Sequence, residues 1–424
     1  MIEVSVKVYN NSVTYSWNNP ISLYSAKTLT FDFSSLDISK IPKHIWNYIF
    51  CIFMIDAITA TNEDIEVSEL SDNEYETLNY ILQQNILSRG CAGRLITDGF
   101  TQSIKAKKYL DKTVFPKPSK TVVCANGLGK DGINVSLLSD ELGYNPLCYT
   151  IWGQYLCLPN GLKISKERHK TSENFYHETG FDNLNIYTNF WEHKGTRLGF
   201  YPYSIGIAIA YAVNSDVVLD GVQIHSNRMR PDNSYYCYGE TVDCFNRVGN
   251  AVGITLSNPM RALSNFGSQK LLATVWSHYL KYQRSCMFGH PWCMKCKKCN
   301  RKALYFDVLG INYNELGMSM WDKDKLKLDQ YMQVLSDVSE ILKKKNGVLY
   351  HSWVEDANGY VLKNSWEGKK LREFYKDNGF NIYWYDIPVD SLGYRLEPSK
   401  WGRKEIEFVK YLEYEPEGSV KDEK

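Results

Sequence analysis

The spacing of apolar and polar residues in the first part of the chain predicts strands followed by helices. The two classes alternate over MIEVSVKVYNNSVTYSW and SAKTLTFDFSS, as expected where successive side chains point to opposite faces of a sheet. The apolar run Ile45–Ala60 and the segment Asn73–Leu87 follow with helical spacing. Prolines at 116 and 118 then indicate an extended linker. We therefore expect residues 1–115 to form an extra α+β N-terminal domain.

From Thr121 onward, apolar strands alternate with amphipathic helices. The predicted strands are TVVCA, PLCYTIW, LNIYTNF and DVVLDGVQ. Strands that are apolar almost throughout are typical of parallel sheets with helices on both faces. The pattern predicts such an α/β domain over residues 120–255. Ligands of these sheets lie beside the carboxyl ends of the strands.

Beyond residue 255 the pattern is mainly helical. Helices are expected around Met260–Phe266 and Ser268–Gln283, and a strongly amphipathic one over Asp322–Lys345. The last part of the chain is rich in Trp and Tyr. These features divide it into a helical lobe at residues 256–320 and a C-terminal helical and aromatic region at residues 321–424.

Composition and charge narrow the classes of function. Hydrophobic residues make up 44% of the chain and charged residues 23%, as in ordinary globular proteins. The formal net charge of +1 provides no long-range field, which makes nucleic acid an unlikely ligand. The amino terminus lacks secretory features, and Ile45–Ala60 is too short to span a bilayer comfortably. We expect a cytoplasmic protein with no membrane partner, in which the eleven cysteines are reduced.

Four cysteines lie within fourteen residues and predict a zinc site. They are Cys286, Cys293, Cys296 and Cys299, in the segment SCMFGHPWCMKCKKCNRKALYF. Two Cys-x-x-Cys steps share Cys296, and the fourth thiol lies upstream, so that one tetrahedral ion could bind all four. A site closed by four thiolates leaves no position for substrate and is structural. The alternative is a group of reduced thiols that only happen to cluster.

The turn after the first strand of the α/β domain predicts an anion site. In VVCANGLGKDGINVSLL, the glycines at 127, 129 and 132 permit positive φ and close backbone approach, so that amide groups could point at a phosphate. Lys130 could add a positive charge, and Asp131 could bind a Mg²⁺ ion that bridges phosphate oxygens. Tight packing of the helix on the strand is the alternative explanation of these glycines.

The loop and the cysteines together resemble one enzyme family. Residues Gly127–Gly132 are similar to the pyrophosphate loop of the ATP pyrophosphatases, usually Ser-Gly-Gly-x-Asp-Ser. Cys286–Arg301 resembles the zinc cluster of the 7-cyano-7-deazaguanine synthases within that superfamily. Between these landmarks, Pro202 before SIGIAIAYA, the strand LDGVQ and Lys270 occur in the order that the family shows. The resemblance covers residues 120–309 and implies an adenine nucleotide alpha hydrolase-like fold with a zinc-binding C-terminal lobe.

The resemblance also implies an activity and a set of site residues. ATP would bind across Ala125, Asn126, Gly127, Leu128, Gly129, Lys130, Asp131 and Gly132, with Tyr149–Trp152 beside adenine. Lys130, Asp131 and Lys270 would act in catalysis, with Mg²⁺. An ATP-dependent ligase of this family adenylates the carboxylate of a 7-deazaguanine-type base and then forms an amide or a nitrile. The long N-terminal region is similar to that of synthase-like proteins in anti-phage defence operons, which suggests a protein acceptor.

Other functions stay open. In this chain glycines at 127 and 132 replace the two serines of the loop, and Tyr203-Ser204 replaces the family's Arg-Asn pair. Another pyrophosphate-loop activity, such as tRNA thiolation or amidotransfer, is one alternative. A non-catalytic nucleotide-binding module is the other. The sequence also leaves open a homodimer.

Overall fold

The structure is a computed structural model that describes most of the chain before residue 319 and short stretches after residue 358. The described residues are 1–21, 27–59, 61, 63–91, 102–111, 113–153, 161–190, 201–221, 242–263, 265–286, 292–294, 299, 302–303, 305–306, 309–318, 359–362, 366–380 and 382–385. The helix predicted over Asp322–Lys345 lies outside them.

One large mixed sheet runs through the described chain. Its strands are β1 (Ile2–Val8), β2 (Ser12–Trp17), β3 (Thr28–Asp32), β4 (Ile65–Ser71), β5 (Ile104–Leu110), β6 (Thr121–Ala125), β7 (Asn145–Trp152), β8 (Asp182–Thr188), β9 (Val217–Leu219) and β10 (Thr255–Ser257). They lie in the order β10-β9-β6-β7-β8-β3-β2-β1-β4-β5. A further parallel pair is formed by β11 (Gly359–Leu362) and β12 (Ile382–Tyr385).

The five strands from β10 to β8 are all parallel, as the apolar runs predict. The chain builds β6, β7 and β8 outward in one direction and then returns to place β9 on the other side of β6. Strand order therefore reverses between β6 and β9, and a crevice forms at such a point beyond the carboxyl ends of the strands.

The N-terminal strands extend this sheet. β3 pairs antiparallel with β8 through Phe31↔Thr188 and Asp32↔Tyr187, and β1, β2 and β3 are antiparallel neighbours. The parallel strands predicted for residues 120–255 are therefore one half of a mixed sheet and not a sheet of their own. Because residues 1–115 share a sheet and a hydrophobic core with later residues, no separate sheet marks an N-terminal domain in the described chain.

Helices cover both faces of the parallel half. The helices are α1 (Lys43–Phe53), α2 (Ile55–Thr59), α3 (Asp72–Cys91), α4 (Lys130–Glu141), α5 (Gly161–Thr179), α6 (Tyr201–Val213), α7 (Val242–Ala251), α8 (Asn265–Thr274) and α9 (Gly368–Asp377). On β6, Val123 packs into the core that contains α1 and α6, whereas Val122 and Cys124 pack into the core that contains α4 and α8. This alternation follows from the two-residue period of a strand.

The start of α3 shows how sequence sets a helix end. Ser71 precedes the helix and Glu74 lies three residues later, the spacing of a capping box. Glu74 Oε2 accepts the Ser71 amide at 2.7 Å, and Ser71 Oγ accepts the Glu74 amide at 3.3 Å. The second oxygen of Glu74 contacts His44 Nδ1 on α1 at 2.7 Å. The capping residues thereby join α3 to α1.

The helical lobe differs in detail from its prediction. In place of a helix over Met260–Phe266, a 3-10 turn covers Pro259–Ala262 before α8 begins. The helix predicted over Ser268–Gln283 is also interrupted, because the backbone of Trp276, at φ −120° and ψ 40°, leaves the helical region. A 3-10 helix, Ser277–Tyr282, follows it. Among the described residues, no helix combines the length and the apolar character that a bilayer span requires.

Candidate functional site

The loop between β6 and α4 is held by the side chain of Asn126. Its Oδ1 accepts the Leu128 amide at 2.9 Å, and its Nδ2 donates to Ser136 Oγ at 3.1 Å. Thr150, on the neighbouring strand β7, donates to the Asn126 carbonyl at 2.6 Å. Asn126 is buried, so these bonds fix the loop at the carboxyl end of β6.

The glycines of this loop have different roles. They permit positive φ, but the loop residue that adopts it is Leu128, at φ 59°. A Cβ atom on Gly132 would lie 2.9 Å from Asn126 Cα, so Gly132 is required for helix packing. A Cβ atom on Gly127 or Gly129 would meet no atom of the described residues within 4 Å. The backbone at these two residues therefore borders open space, which a bound group could enter.

A cluster of charges lies at the start of α4. Lys130 Nζ and Ser268 Oγ, the latter on α8, both donate to Asp131 Oδ1 at 2.5 Å. Burial raises the pKa of Asp131, but the charges of Lys130 and Lys302 and the two hydrogen bonds outweigh it, so the pKa lies below its ordinary value. The Lys130 side chain is 3% exposed and that of Asp131 28%. The carboxylate thus stands between buried cations and solvent.

A second carboxylate stands at the end of β9, on the other side of the reversal point. Asp220 Oδ1 accepts the Gly221 amide at 2.6 Å. Burial raises the pKa of Asp220 to about 6, the negative charge of Asp131 adds to this rise, and hydrogen bonds from Gly221 and Tyr203 oppose it. A Cβ atom on Gly221 would lie 2.6 Å from Asp131 Cβ. The start of α4 therefore meets the chain after β9 in close contact, which requires glycine at 221.

The third catalytic candidate, Lys270, lies elsewhere. Its Nζ is 5.1 Å from the centre of the Phe380 ring, in the segment around α9. The residue of α8 that contacts Asp131 is Ser268, and the additional cation that acts on Asp131 is Lys302. Neither residue was predicted to belong to the site. Lys302 could have been found from its position three residues after Cys299, because it places a cation at the end of the cysteine cluster.

The residues predicted to lie beside adenine, Tyr149–Trp152, do not form one surface. Tyr149 is buried in the sheet core, where its hydroxyl approaches Gly206 of α6. Thr150 is used in holding the loop. At the end of β7, the Trp152 ring stacks on His169 of α5, with centroids 3.6 Å apart. One ring of the expected set therefore reaches the strand end, and one of its faces is already covered.

Three of the four cysteines lie together in the described structure. The Sγ atoms of Cys286, Cys293 and Cys299 are all within 4.8 Å of one another, and those of Cys293 and Cys299 are 3.9 Å apart. Sulfur atoms bound to one tetrahedral zinc at about 2.3 Å lie about 3.8 Å apart. The three thiols could hold a metal ion and fit zinc in spacing and chemistry. Cys296 lies outside the described residues.

The segment that enters the cysteine cluster also touches the loop. The Arg284 amide donates to the Leu128 carbonyl at 2.6 Å. Arg168 of α5, which is buried, donates through Nη2 to the Cys286 carbonyl. Burial and the positive charge of Arg168 lower the pKa of Arg284 to about 10. The cysteine cluster and the loop are therefore parts of one local structure.

Trp292 lies beside Cys293 in the cysteine cluster. It is buried and donates through Nε1 to the Leu316 carbonyl at 3.0 Å, which is a packing role. Arg301, at the end of the cluster, lies outside the described residues.

Comparison with known proteins gives one similarity. Residues 244–323 match the model of a family of unknown function, DUF6395. This segment is about a fifth of the chain and contains Ser268, the four cysteines and Lys302, whereas the loop and Asp220 precede it. No curated protein matches the chain. The part of the site that the helical lobe contributes is therefore similar to a family of unknown function, and this similarity indicates no activity.

Proposed function

We propose that the chain is an ATP-dependent, carbon–nitrogen bond-forming ligase that binds the phosphates of ATP at the loop between β6 and α4. The observation that carries this proposal is the open space over Gly127 and Gly129 at the reversal point of the parallel strands. Backbone amides at the start of a helix favour bound phosphate, because they donate hydrogen bonds and carry the positive end of the helix dipole. An adenine nucleotide alpha hydrolase-like fold would place ATP at the same crevice.

Charge supports an anionic ligand at this place. Lys130 and Lys302 are both buried, and Asp131 is the carboxylate on which both act. Buried cations stabilise negative charge that develops nearby, since the low dielectric strengthens the attraction. Pyrophosphate that leaves an activated substrate develops such charge. Asp131 is also the candidate ligand for a Mg²⁺ ion that accompanies ATP.

The proposed reaction has two steps. A carboxylate oxygen of a 7-deazaguanine-type base attacks the α-phosphorus of ATP, and the bond to pyrophosphate breaks. An amine nitrogen then attacks the acyl carbon and loses a proton as AMP leaves, which yields an amide. With ammonia as the amine, dehydration by a second ATP gives a nitrile; with an amine of a partner protein, the base becomes attached to that protein in anti-phage defence. The enzyme would act in the cytoplasm.

Zinc at the cysteine cluster would be structural. Cys286, Cys293 and Cys299, with Cys296 as the fourth ligand, would hold it and leave no position for substrate. Zinc bound there would fix the chain between Arg284, which contacts the loop, and Lys302, which acts on Asp131. Metal analysis of the purified protein should find about one zinc per chain. Cys299→Ser should lose the metal and lower the unfolding temperature, and retention of both would contradict the assignment.

The test is release of pyrophosphate. Protein is mixed with ATP, Mg²⁺, ammonia and the 7-carboxy-7-deazaguanine base, and released pyrophosphate is measured with and without the base. We expect release that requires the base and is lost in Lys302→Gln. The matched control is Lys281→Gln, which removes a surface cation of the same lobe that is paired with Glu178. Release of pyrophosphate that does not require the base and persists in Lys302→Gln would contradict the ligase assignment.

A non-catalytic nucleotide-binding module is the second candidate, and one contact favours it. Asp131 Oδ1 already accepts hydrogen bonds from both Lys130 and Ser268, so a Mg²⁺ ion would compete with an ammonium group for that oxygen. ATP binding without release of pyrophosphate, with any base or with tRNA as acceptor, would support this candidate. Release that requires tRNA would instead support thiolation or amidotransfer.

A further inference from the structure

Two arginines form a group that the proposed reaction does not use. Arg168 projects from α5, and Arg284 lies two residues before Cys286. Arg168 donates to the carbonyl of Cys286, so its guanidinium group lies beside the short segment that contains Arg284 and enters the cysteine cluster. The amide of Arg284 is bonded to the carbonyl of Leu128 at 2.6 Å. The pair therefore borders the loop from the side of the lobe.

Hydrogen bonds hold Arg284 only in part. Its Nη1 donates to the carbonyls of Lys281 and Gln283, both at 2.8 Å, which anchors one end of the guanidinium group to its own 3-10 turn. Its Nε is buried and has no hydrogen-bond partner among the described residues. A buried donor without a partner is unfavourable, and arginine donors suit a planar oxyanion.

The positive charges of Arg168 and Arg284 also act on each other. Like charges in a partly buried position repel, and a bound anion removes that repulsion. Glu178 is the acidic residue that contacts the same 3-10 turn, and its Oε2 is bonded to Lys281 and Tyr282.

We propose that Arg168 and Arg284 form an oxyanion subsite beside the loop, which binds a second phosphate or carboxylate group of the same ligand. Because Arg284 is bonded directly to Leu128, a group at this subsite and a group over Gly127 and Gly129 would be neighbours. The ligand class is thus a molecule with two adjacent oxyanion groups. The subsite requires binding only, and no turnover of ATP.

Calorimetric titration of the full-length, zinc-loaded protein tests this proposal with two probes. Inorganic pyrophosphate represents a phosphate ligand, and malonate represents a dicarboxylate. We expect wild-type protein to bind at least one probe, and the stronger probe shows which oxyanion the subsite prefers. Arg284→Gln and Arg168→Gln should each weaken that binding at least about tenfold, because each removes a charged donor to a buried anion. Lys281→Gln, which removes an exposed cation of the same turn, should leave it unchanged.

A milder variant covers the case in which a glutamine substitution prevents folding. Arg284→Lys keeps the charge and removes the planar group, and it should still weaken binding of the preferred probe severalfold. Absence of binding of both probes by the wild type overturns the subsite, as does equal binding by the wild type and the arginine variants. Binding by these arginines with no release of pyrophosphate from ATP would leave the subsite intact and defeat the proposed ligase. Release of pyrophosphate from ATP that is unchanged in both arginine variants would support the proposed ligase and overturn the subsite.

Discussion

Two contacts between a basic side chain and a carboxylate, one in each half of the sheet, show the difference between a packing contact and a site. In the N-terminal half, His44 Nδ1 contacts Glu74 Oε1 at 2.7 Å, and the other Glu74 oxygen accepts the Ser71 amide. Both side chains are almost fully buried, at 6% and 0% exposure. Each oxygen of Glu74 has its partner, and the pair joins two helices. It is closed to any ligand.

The pair in the parallel half is open. Lys130 and Asp131 are as close as the first pair, but the carboxylate is 28% exposed and a further buried cation, Lys302, acts on it. The space over Gly127 and Gly129 adjoins it. The partly exposed pair, beside the space over Gly127 and Gly129, leaves room for a ligand, and the closed pair does not.

Breaking the closed pair should have the largest effect on stability. Glu74→Ala leaves His44 and the Ser71 amide without their buried partner, and we expect a loss of about 3–5 kcal/mol in the free energy of unfolding, measured by urea titration. Glu76→Ala is the matched control, an exposed glutamate of the same helix. Binding of pyrophosphate by the folded fraction should not change. A loss below about 1 kcal/mol would show that this pair is not a structural contact.

Altering the open pair should instead affect function. Asp131→Asn keeps the shape of the side chain and its bond to Ser268 but removes the charge, and we expect release of pyrophosphate to fall about 100-fold. The free energy of unfolding should change by about 1 kcal/mol or less, because solvent reaches this site. If the variant unfolds as readily as Glu74→Ala, the pair is structural and the comparison fails.

A pH-dependent effect on stability is expected from Asp220. The folded state raises the pKa of Asp220 to about 6, so the folded protein holds a proton more tightly than the unfolded chain does. Stability from this group is fully present below about pH 4 and is lost as the pH rises through 6. Asp220→Asn should therefore stabilise the protein by about 1–2 kcal/mol at pH 8 and hardly at pH 4. Equal effects at the two pH values would refute the shift.

Sequence predicted the parts of this fold that depend on local pattern. The apolar runs at β6 and β7 identify strands because both faces of a parallel strand are buried, and the spacing of the cysteines needs no tertiary information. The pairing of β3 with β8 could not be predicted, since it joins residues about 155 positions apart in the chain, as Phe31↔Thr188 shows, and many registers satisfy the same alternation.

The residues of the candidate site were predicted only where they are close together in the sequence. Lys130 and Asp131 belong to the loop and were found from its motif. Ser268 and Lys302 reach Asp131 only because α8 and the end of the cysteine cluster fold against α4. Lys270, two residues from Ser268, faces Phe380 instead, because residues two apart on a helix do not share a face.

The central claim is that the backbone at Gly127 and Gly129 borders a phosphate site, and Gly129→Ala tests it most directly. The substituted Cβ meets no atom within 4 Å in the part of the chain that the structure describes, and the backbone at φ −72° and ψ 156° accepts alanine. Thermal unfolding without ligand should therefore match the wild type, whereas calorimetry should show ATP binding weakened at least about tenfold, because the methyl group occupies the space of the phosphate. Equal ATP affinity in wild type and variant, at equal stability, would contradict the account.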